Sequence, residues 1–221
     1  MTGDDDMNQL IREPINGFTH LAGAILSFAG LLALVIKAAS VSPSPLTLTA
    51  VIIFGVSMIL LYSASATYHM VIARDAIIAF LRRLDHSMIF VLIAGTYAPF
   101  CLITLKGVTG VLLFSLIMTM AVSGVVFKMI WFDCPRWLST ALYILMGWMI
   151  VFAARPLAEH LSSTGLILLL IGGLLYTIGG IIYALKPKVL QFKHMGFHEI
   201  FHIFILLGSL AHFLSVYLFV L

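Results

Sequence analysis

Charged residues are scarce in this chain. Only 10% of its 221 residues are Asp, Glu, Lys or Arg, whereas 62% are hydrophobic. A water-soluble domain carries roughly 25% charged residues, most of them on its surface. The composition therefore excludes a soluble globular protein and predicts an integral membrane protein.

Cysteine is also rare, and a cleavable leader is not evident. The two cysteines, Cys101 and Cys134, fall near opposite membrane faces in the topology below, so we expect no disulfide between them. Residues 1–12 contain three consecutive aspartates and lack the basic-then-apolar layout of a signal peptide. We expect the first apolar segment to stay in the mature protein. The net charge of +3 is spread over loops, which argues against a nucleic-acid partner.

Seven apolar runs are long enough to cross a bilayer, which takes about 20 residues. Short segments with Pro, Gly and charged residues separate them, as expected of turns. The runs cover residues 17–39, 46–72, 84–105, 108–131, 137–154, 165–185 and 197–221. No loop has room for a soluble domain. We predict an all-α, seven-transmembrane helix bundle that forms a single membrane domain over residues 1–221.

Basic residues divide unequally between the two ends of the predicted helices. Of the 12 Lys and Arg residues, all but Lys37, Lys106 and Arg155 fall on the side of the N-terminus. Cytoplasmic loops of membrane proteins are enriched in Lys and Arg. The distribution predicts a cytoplasmic N-terminus and an external C-terminus.

Polar side chains within the spans fall at one depth. Ser65 and His69 lie near the predicted cytoplasmic end of the second helix, and Asp85 lies near that end of the third. His198 and His202 occupy the first two turns of the seventh. At ~1.5 Å per residue, each lies within roughly 10 Å of the cytoplasmic boundary. Because polar groups are costly in lipid, we expect them to share one water-accessible cavity.

The first helix supplies polar groups at the same depth. Glu13, Asn16 and His20 have the spacing of one helix face. We predict that these three residues line the cavity and support its binding site.

The histidines have the spacing of metal ligands. His198 and His202 are one helical turn apart, so both imidazoles can reach one ion. With His69 and a water molecule they would complete a four-coordinate zinc site with an open position. Asp85 is then the candidate that accepts a proton from that water molecule, and Ser65 is the candidate that orients the water. A proton relay or a purely structural polar cluster is the alternative.

The same motifs, in the same order, resemble a known family. They are Glu13-x-x-Asn16-x-x-x-His20, Ser65-x-x-x-His69, Leu84-Asp85-His86 and His198-x-x-x-His202, with Arg12-Glu13-Pro14, residues 94–99 and residues 146–148. This pattern resembles the progestin and adipoQ receptor family, and within it the bacterial hemolysin III branch.

The resemblance implies a function as well as a fold. It implies seven helices with a cytoplasmic N-terminus in the bacterial plasma membrane, and zinc held by His69, His198 and His202. It places Asp85 and Ser65 against the zinc-bound water. Members of the wider family are associated with hydrolysis of a lipid amide, and the bacterial branch with membrane-lipid homeostasis. A zinc-dependent hydrolase acting on a membrane lipid amide or ester is the function that it implies, with Asp85 as general base.

Two other functions compete with this one. Residues 198–202 match H-E-x-x-H, a metalloprotease signature in which Glu199 would be the base. Glu199 points about 100° away from the two histidines, however, and the usual Leu-Asp-Gly ligand motif is replaced by Leu84-Asp85-His86. The second alternative is a cytolysin or membrane sensor without catalysis. A pore would need a polar stripe across the whole bilayer, and His212 is the main ionisable group in the outer halves.

Overall fold

The computed structural model describes residues 11–105, 107–192 and 195–221. The N-terminal aspartates, Lys106, Lys193 and His194 lie outside the described residues. Within the described part, seven helices are long and apolar enough to cross a membrane, and there is no strand. The prediction of an all-α, seven-helix membrane protein is confirmed. The orientation of the termini stays a prediction.

The helices follow one another with short connections. They are α1 (Pro14–Val41), α2 (Pro45–Met70), α3 (Asp75–Leu105), α4 (Gly107–Ile130), α5 (Arg136–His160), α6 (Ser163–Leu185) and α7 (Phe197–Val220). The last turns of α3 and α7, Phe100–Leu105 and Val216–Val220, are π-helical.

Local chemistry explains where several helices begin. Pro14 and Pro45 stand at the first turns of α1 and α2, where a missing N–H costs nothing and the fixed φ of proline suits a helix. The Ser44 hydroxyl accepts a hydrogen bond from the Thr47 amide at 3.0 Å. The Ser162 hydroxyl does the same for Gly165 at 3.2 Å. These caps satisfy amides that the first turn leaves free.

Two helices extend beyond the apolar runs. Helix α3 begins at Asp75 rather than near Leu84. Residues 76–81 are apolar, and Arg82 and Arg83, which interrupt the apolar run, are helical as well. Helix α5 continues to His160, although the sequence suggested a break at Arg155-Pro156. Pro156 falls in the first turn of a short final segment, Ala154–His160, where proline is tolerated. His160, expected in a loop, therefore ends a helix.

The middle of α5 is interrupted by a 3-10 segment, Met149–Ala153. The hydroxyl of Tyr97 in α3 stabilises this interruption. It donates towards the carbonyls of Met146 and Gly147, at 2.8 and 2.7 Å, and accepts from the Ile150 amide at 2.9 Å. One tyrosine thus satisfies backbone groups that the broken helix leaves unpaired.

Helix α3 lies at the centre of the bundle. In its most apolar stretch 72% of the residues are buried, against at most 50% in any other span. Helices α2 and α4 pack against it, α1 packs against both α2 and α7, and α6 packs against α5 and α7. The last turn of α2 and the first turns of α7 lie at the same end of the bundle, and this position brings their polar residues together.

Candidate metal centre

The structure brings together three histidines from two helices. His69 lies in the last turn of α2, and His198 and His202 lie in the first two turns of α7. One ring nitrogen from each of the three lies within 4.8 Å of the other two. This cluster could hold a metal ion.

A hydrogen bond to Glu13 leaves one nitrogen of His69 free. The Nδ1 atom of His69 lies 2.7 Å from Oε2 of Glu13. A carboxylate only accepts, so Nδ1 carries a proton, and in the neutral imidazole Nε2 keeps its lone pair. Nε2 is buried and has no hydrogen-bond partner among the described residues. A buried, unpaired lone pair beside two further imidazoles fits a metal ligand.

The other two histidines face each other. Their Nε2 atoms are 3.0 Å apart. Two imidazole lone pairs at this distance require a proton or a cation between them. The three-nitrogen donor set suits zinc and other borderline divalent ions.

The N-terminal end of α1 supports the cluster from outside. The Glu13 amide donates to the carbonyl of His69 at 2.9 Å, and the Asn16 amide group donates to Glu13 at 3.2 Å and to Glu199 at 2.8 Å. The hydrogen bond from His69 lowers the pKa of the Glu13 carboxyl to about 2. Glu13 is therefore an ionised acceptor at neutral pH.

Glu13 and Asn16 are not among the residues that line the cavity described below, so their role in lining the site stays a prediction. Glu13 bonds the ring nitrogen of His69 that faces away from the free one, and 40% of its side chain is exposed. Through their hydrogen bonds, Glu13 and Asn16 connect α1 to α2 and α7, the helices that carry the three histidines.

His20 does line the cavity. Its ring stacks on that of His202, with centroids 3.6 Å apart and planes only 8° apart. The Tyr62 ring contacts the His20 ring edge-on, with a centroid distance of 5.1 Å. This stacking restricts the rotation of the His202 ring.

Glu199 is occupied with structural contacts. Its Oε2 accepts from the Gly196 amide at 2.7 Å, which caps the first turn of α7, and its Oε1 accepts from Asn16. Both oxygens of Glu199 are therefore occupied, one by α1 and the other by the start of α7. This arrangement disfavours Glu199 as a catalytic base.

A cavity of about 400 Å³ extends from the histidines along the inside of the bundle. His198, His202, Ser65 and Asp85 contribute polar groups to its wall. The Asp85 side chain is 12% exposed and its nearest basic atom is Nδ1 of His86, at 3.9 Å. The Ser65 hydroxyl is buried without a partner among the described residues. Most of the remaining wall is apolar, including Ile93, Phe100, Leu157, Leu166 and Leu169.

Two further histidines, His86 and His212, also line this cavity. His86 donates or accepts at Nε2 with the Tyr183 hydroxyl, 2.9 Å away, and its Nδ1 lies 2.7 Å from the Arg82 carbonyl. His212 lies 3.2 Å from the Leu169 carbonyl. The rarity of ionisable residues inside a span was the available signal for both.

Comparison with known proteins supports these observations. Residues 8–213 match the family described as Haemolysin-III related. The chain is 41% identical over 218 residues to Hemolysin-3 of Bacillus cereus, covering 97% of this chain and 95% of that protein. It is 40% identical over 207 residues to the Hemolysin-3 homolog of Bacillus subtilis (strain 168), covering 93% of each. With its seven spans, the chain is a multi-pass plasma-membrane protein, and it belongs to the haemolysin-III-related family.

Proposed function

We propose that the protein is a zinc-dependent intramembrane hydrolase that cleaves an amide or ester bond of a membrane lipid and so contributes to membrane-lipid homeostasis. The observation that carries the proposal is the free, buried Nε2 of His69 beside His198 and His202. Two of these histidines, His198 and His202, line a mainly apolar cavity that also holds Asp85 and Ser65.

His69, His198 and His202 are the residues that would hold the metal. When bound, zinc supplies a Lewis acid that polarises a carbonyl group and lowers the pKa of a coordinated water molecule. Glu13 fixes the tautomer of His69, and His20 fixes the ring plane of His202. Ligands oriented in this way favour binding of one ion in one geometry.

Asp85 is the proposed general base. It is a buried carboxylate on the cavity wall beside the Ser65 hydroxyl, and its oxygens can accept a proton from the attacking water. It would then return that proton to the leaving amine or alcohol. Ser65, whose hydroxyl also lines the cavity, is proposed to orient the water or the substrate carbonyl.

The cavity suits a lipid rather than a peptide substrate. Its volume of about 400 Å³ lies within the ~300–1,000 Å³ range of small-molecule sites. An acyl chain can bury its methylene groups against the apolar residues, whereas a peptide backbone would leave its polar groups unpaired.

Metal analysis and lipid turnover of purified variants test the proposal. His202→Ala should lose both bound zinc and release of fatty acid from a mixed membrane-lipid extract, measured by mass spectrometry. His160→Ala, an exposed histidine far from the cluster in sequence, should retain both. Full activity of metal-free protein would contradict the proposal.

Two carboxylate variants identify the base. Asp85→Asn should retain zinc and lose roughly 10²–10⁴-fold in rate, the usual contribution of general acid–base catalysis. Glu199→Gln should keep most of its activity. The reverse result would favour the metalloprotease chemistry of the H-E-x-x-H signature.

Direct lysis is a second candidate, favoured by the name Hemolysin-3 of two relatives. The mostly apolar cavity wall argues against a continuous water-filled conduit. Purified protein in dye-loaded liposomes should cause no leakage. Leakage without lipid turnover would favour a cytolysin.

A further inference from the structure

A second pocket lies beside the cavity, at the same end of the bundle as the histidines. Its volume is about 300 Å³, and three basic residues line it: Arg82 from α3, Lys128 from α4 and Arg136 from α5. They are far apart in sequence and come together only through helix packing. The pocket also contains one carboxylate, Asp133, so positive charge predominates.

The Lys128 amino group lies in a buried position with no carboxylate close to it among the described residues. Lys128 is 3% exposed, and its Nζ donates to the Ser139 hydroxyl at 3.0 Å, with Cys134 Sγ at 3.6 Å. No carboxylate of the described residues lies within 4.0 Å of it. A buried ammonium group is costly unless an opposite charge accompanies it. Neutral acceptors alone leave that charge uncompensated.

The two arginines are held by aromatic rings. Arg82 lies over Phe132 at 4.9 Å, and Arg136 lies over Tyr183 at 5.7 Å. One terminal nitrogen of Arg136, Nη1, is buried and has no partner among the described residues. Neither arginine forms an ion pair with any of the described residues. The planar guanidinium donor pattern matches the oxygens of a phosphate group.

The pocket and the cavity share a wall. His86 and Tyr183 line both, and they are hydrogen-bonded to each other at 2.9 Å. The cations therefore lie next to the cavity, separated from it by these two side chains. Basic pockets between membrane helices commonly bind anionic lipid headgroups.

We propose that Arg82, Lys128 and Arg136 form a binding site for the phosphate of an anionic membrane lipid. Binding there does not depend on catalysis at the histidines. The further consequence, that this site selects the lipid to be hydrolysed, rests on the proposed function.

Lipid binding to the full-length protein in detergent tests the site. The probes are phosphatidylglycerol, diacylglycerol with the same acyl chains, and inorganic phosphate, and native mass spectrometry gives the bound fractions. Phosphatidylglycerol should bind at least about a hundredfold more tightly than diacylglycerol, because each of the three charge-assisted contacts contributes about tenfold. Arg136→Gln and Arg82→Gln should each weaken it by about tenfold.

Arg83→Gln is the matched control. Arg83 adjoins Arg82 on the same helix but is exposed and does not line the pocket. It should bind phosphatidylglycerol as the parent protein does. An equal loss in Arg82→Gln and Arg83→Gln would show a diffuse surface attraction and overturn the proposal. Equal binding of the two lipids would overturn it as well.

Two further measurements distinguish lipid phosphate from free phosphate and check that the variants fold. Millimolar inorganic phosphate should not displace phosphatidylglycerol. If it does, and also binds alone as tightly, the ligand is free phosphate and the lipid assignment is wrong. Lys128→Met should weaken binding the most, and its melting temperature shows whether it folds. If Lys128→Met does not fold, Arg136→Gln tests the site instead. No arm measures turnover, so failure here leaves the metal proposal untouched.

Discussion

At the scale of single residues, Glu13 is the most informative contact. The sequence placed it at the depth of the histidines, but the structure shows that it bonds Nδ1 of His69 at 2.7 Å. A carboxylate–histidine pair of this kind orients a metal ligand and raises its basicity. We therefore expect Glu13 to influence any metal bound at this cluster through His69.

Replacing Glu13 tests this influence. Glu13→Gln should lower zinc affinity by about 10–100-fold, the usual cost of losing such a partner, because a neutral amide holds the Nδ1 proton more weakly. Competition with a chromogenic chelator measures the affinity. Glu159→Gln, which changes an exposed carboxylate paired only with Arg155, should have no effect. Equal affinities for all three proteins would contradict the assigned role.

The three clustered histidines could be predicted from the sequence, whereas the basic pocket could not, for a physical reason. Spacing and depth along each helix brought forward His69, His198 and His202, because both quantities can be counted from the chain. The pairing of Arg82, Lys128 and Arg136 depends on how three helices turn towards one another. That rotation is set by packing between spans, so these cations looked like scattered loop charges.

At the scale of elements, the glycines of α6 have two different surroundings. A Cβ on Gly172 would come within 2.3 Å of the His212 ring, and one on Gly179 within 2.9 Å of Phe204. Gly173 instead lines the cavity and has nothing within 4 Å of such a Cβ. One face of α6 therefore allows close approach of α7, and the other borders open space.

Neighbouring substitutions in α6 should differ in effect. Gly172→Ala should destabilise the protein by about 1–3 kcal/mol, because the added methyl group overpacks the contact with His212. Gly173→Ala should be neutral or slightly stabilising, since alanine favours a helix over glycine by about 0.5–1 kcal/mol. Thermal melting in detergent compares the two. Similar melting temperatures would show that the close contact between α6 and α7 at Gly172 does not contribute to stability.

The break in α5 shows what hydropathy cannot predict. The apolar run suggested an uninterrupted helix, and nothing local marks Met149–Ala153 as a 3-10 segment. The compensating group is the hydroxyl of Tyr97, about fifty positions earlier in the chain. Interruptions satisfied by distant residues leave no local pattern in the sequence.

At the scale of the whole molecule, the seven spans and their order were predictable because the apolar runs are long and the turns are marked by Pro, Gly and charge. The central position of α3 was not, because all seven spans are similarly hydrophobic. The polar groups gather at one end of the bundle, where α1, α2, α3 and α7 meet.

Removing the metal should destabilise the whole bundle. A metal that binds only the folded state, at 100 times its dissociation constant, adds about 2.7 kcal/mol to the free energy of unfolding. Treatment with a chelator should therefore lower the melting temperature, and zinc should restore it. His69→Ala should melt at one temperature with or without chelator, whereas His160→Ala should respond like the parent protein. A parent protein insensitive to chelator would contradict metal binding at this site.

The charge distribution predicts the orientation of the bundle. With the N-terminus in the cytoplasm, the histidine cluster faces the cytoplasm and the C-terminus lies outside. A C-terminal alkaline phosphatase fusion should be active, and a C-terminal green fluorescent protein fusion dark. The same fusions after α6 should give the opposite pattern. Reversed signals would invert the topology.

The separation of the ligands along the chain determines when the centre can form. His69 leaves the ribosome with the second span, but its two partners follow only with the seventh. During synthesis, a membrane-inserted intermediate therefore holds Ser65, His69 and Asp85 without their partners, and polar groups facing lipid are costly. Completion of the last helix both covers these groups and assembles the cluster. Metal occupancy would thus mark chains whose insertion is finished, and a chain arrested before α7 would expose a polar surface that membrane proteases and chaperones can recognise.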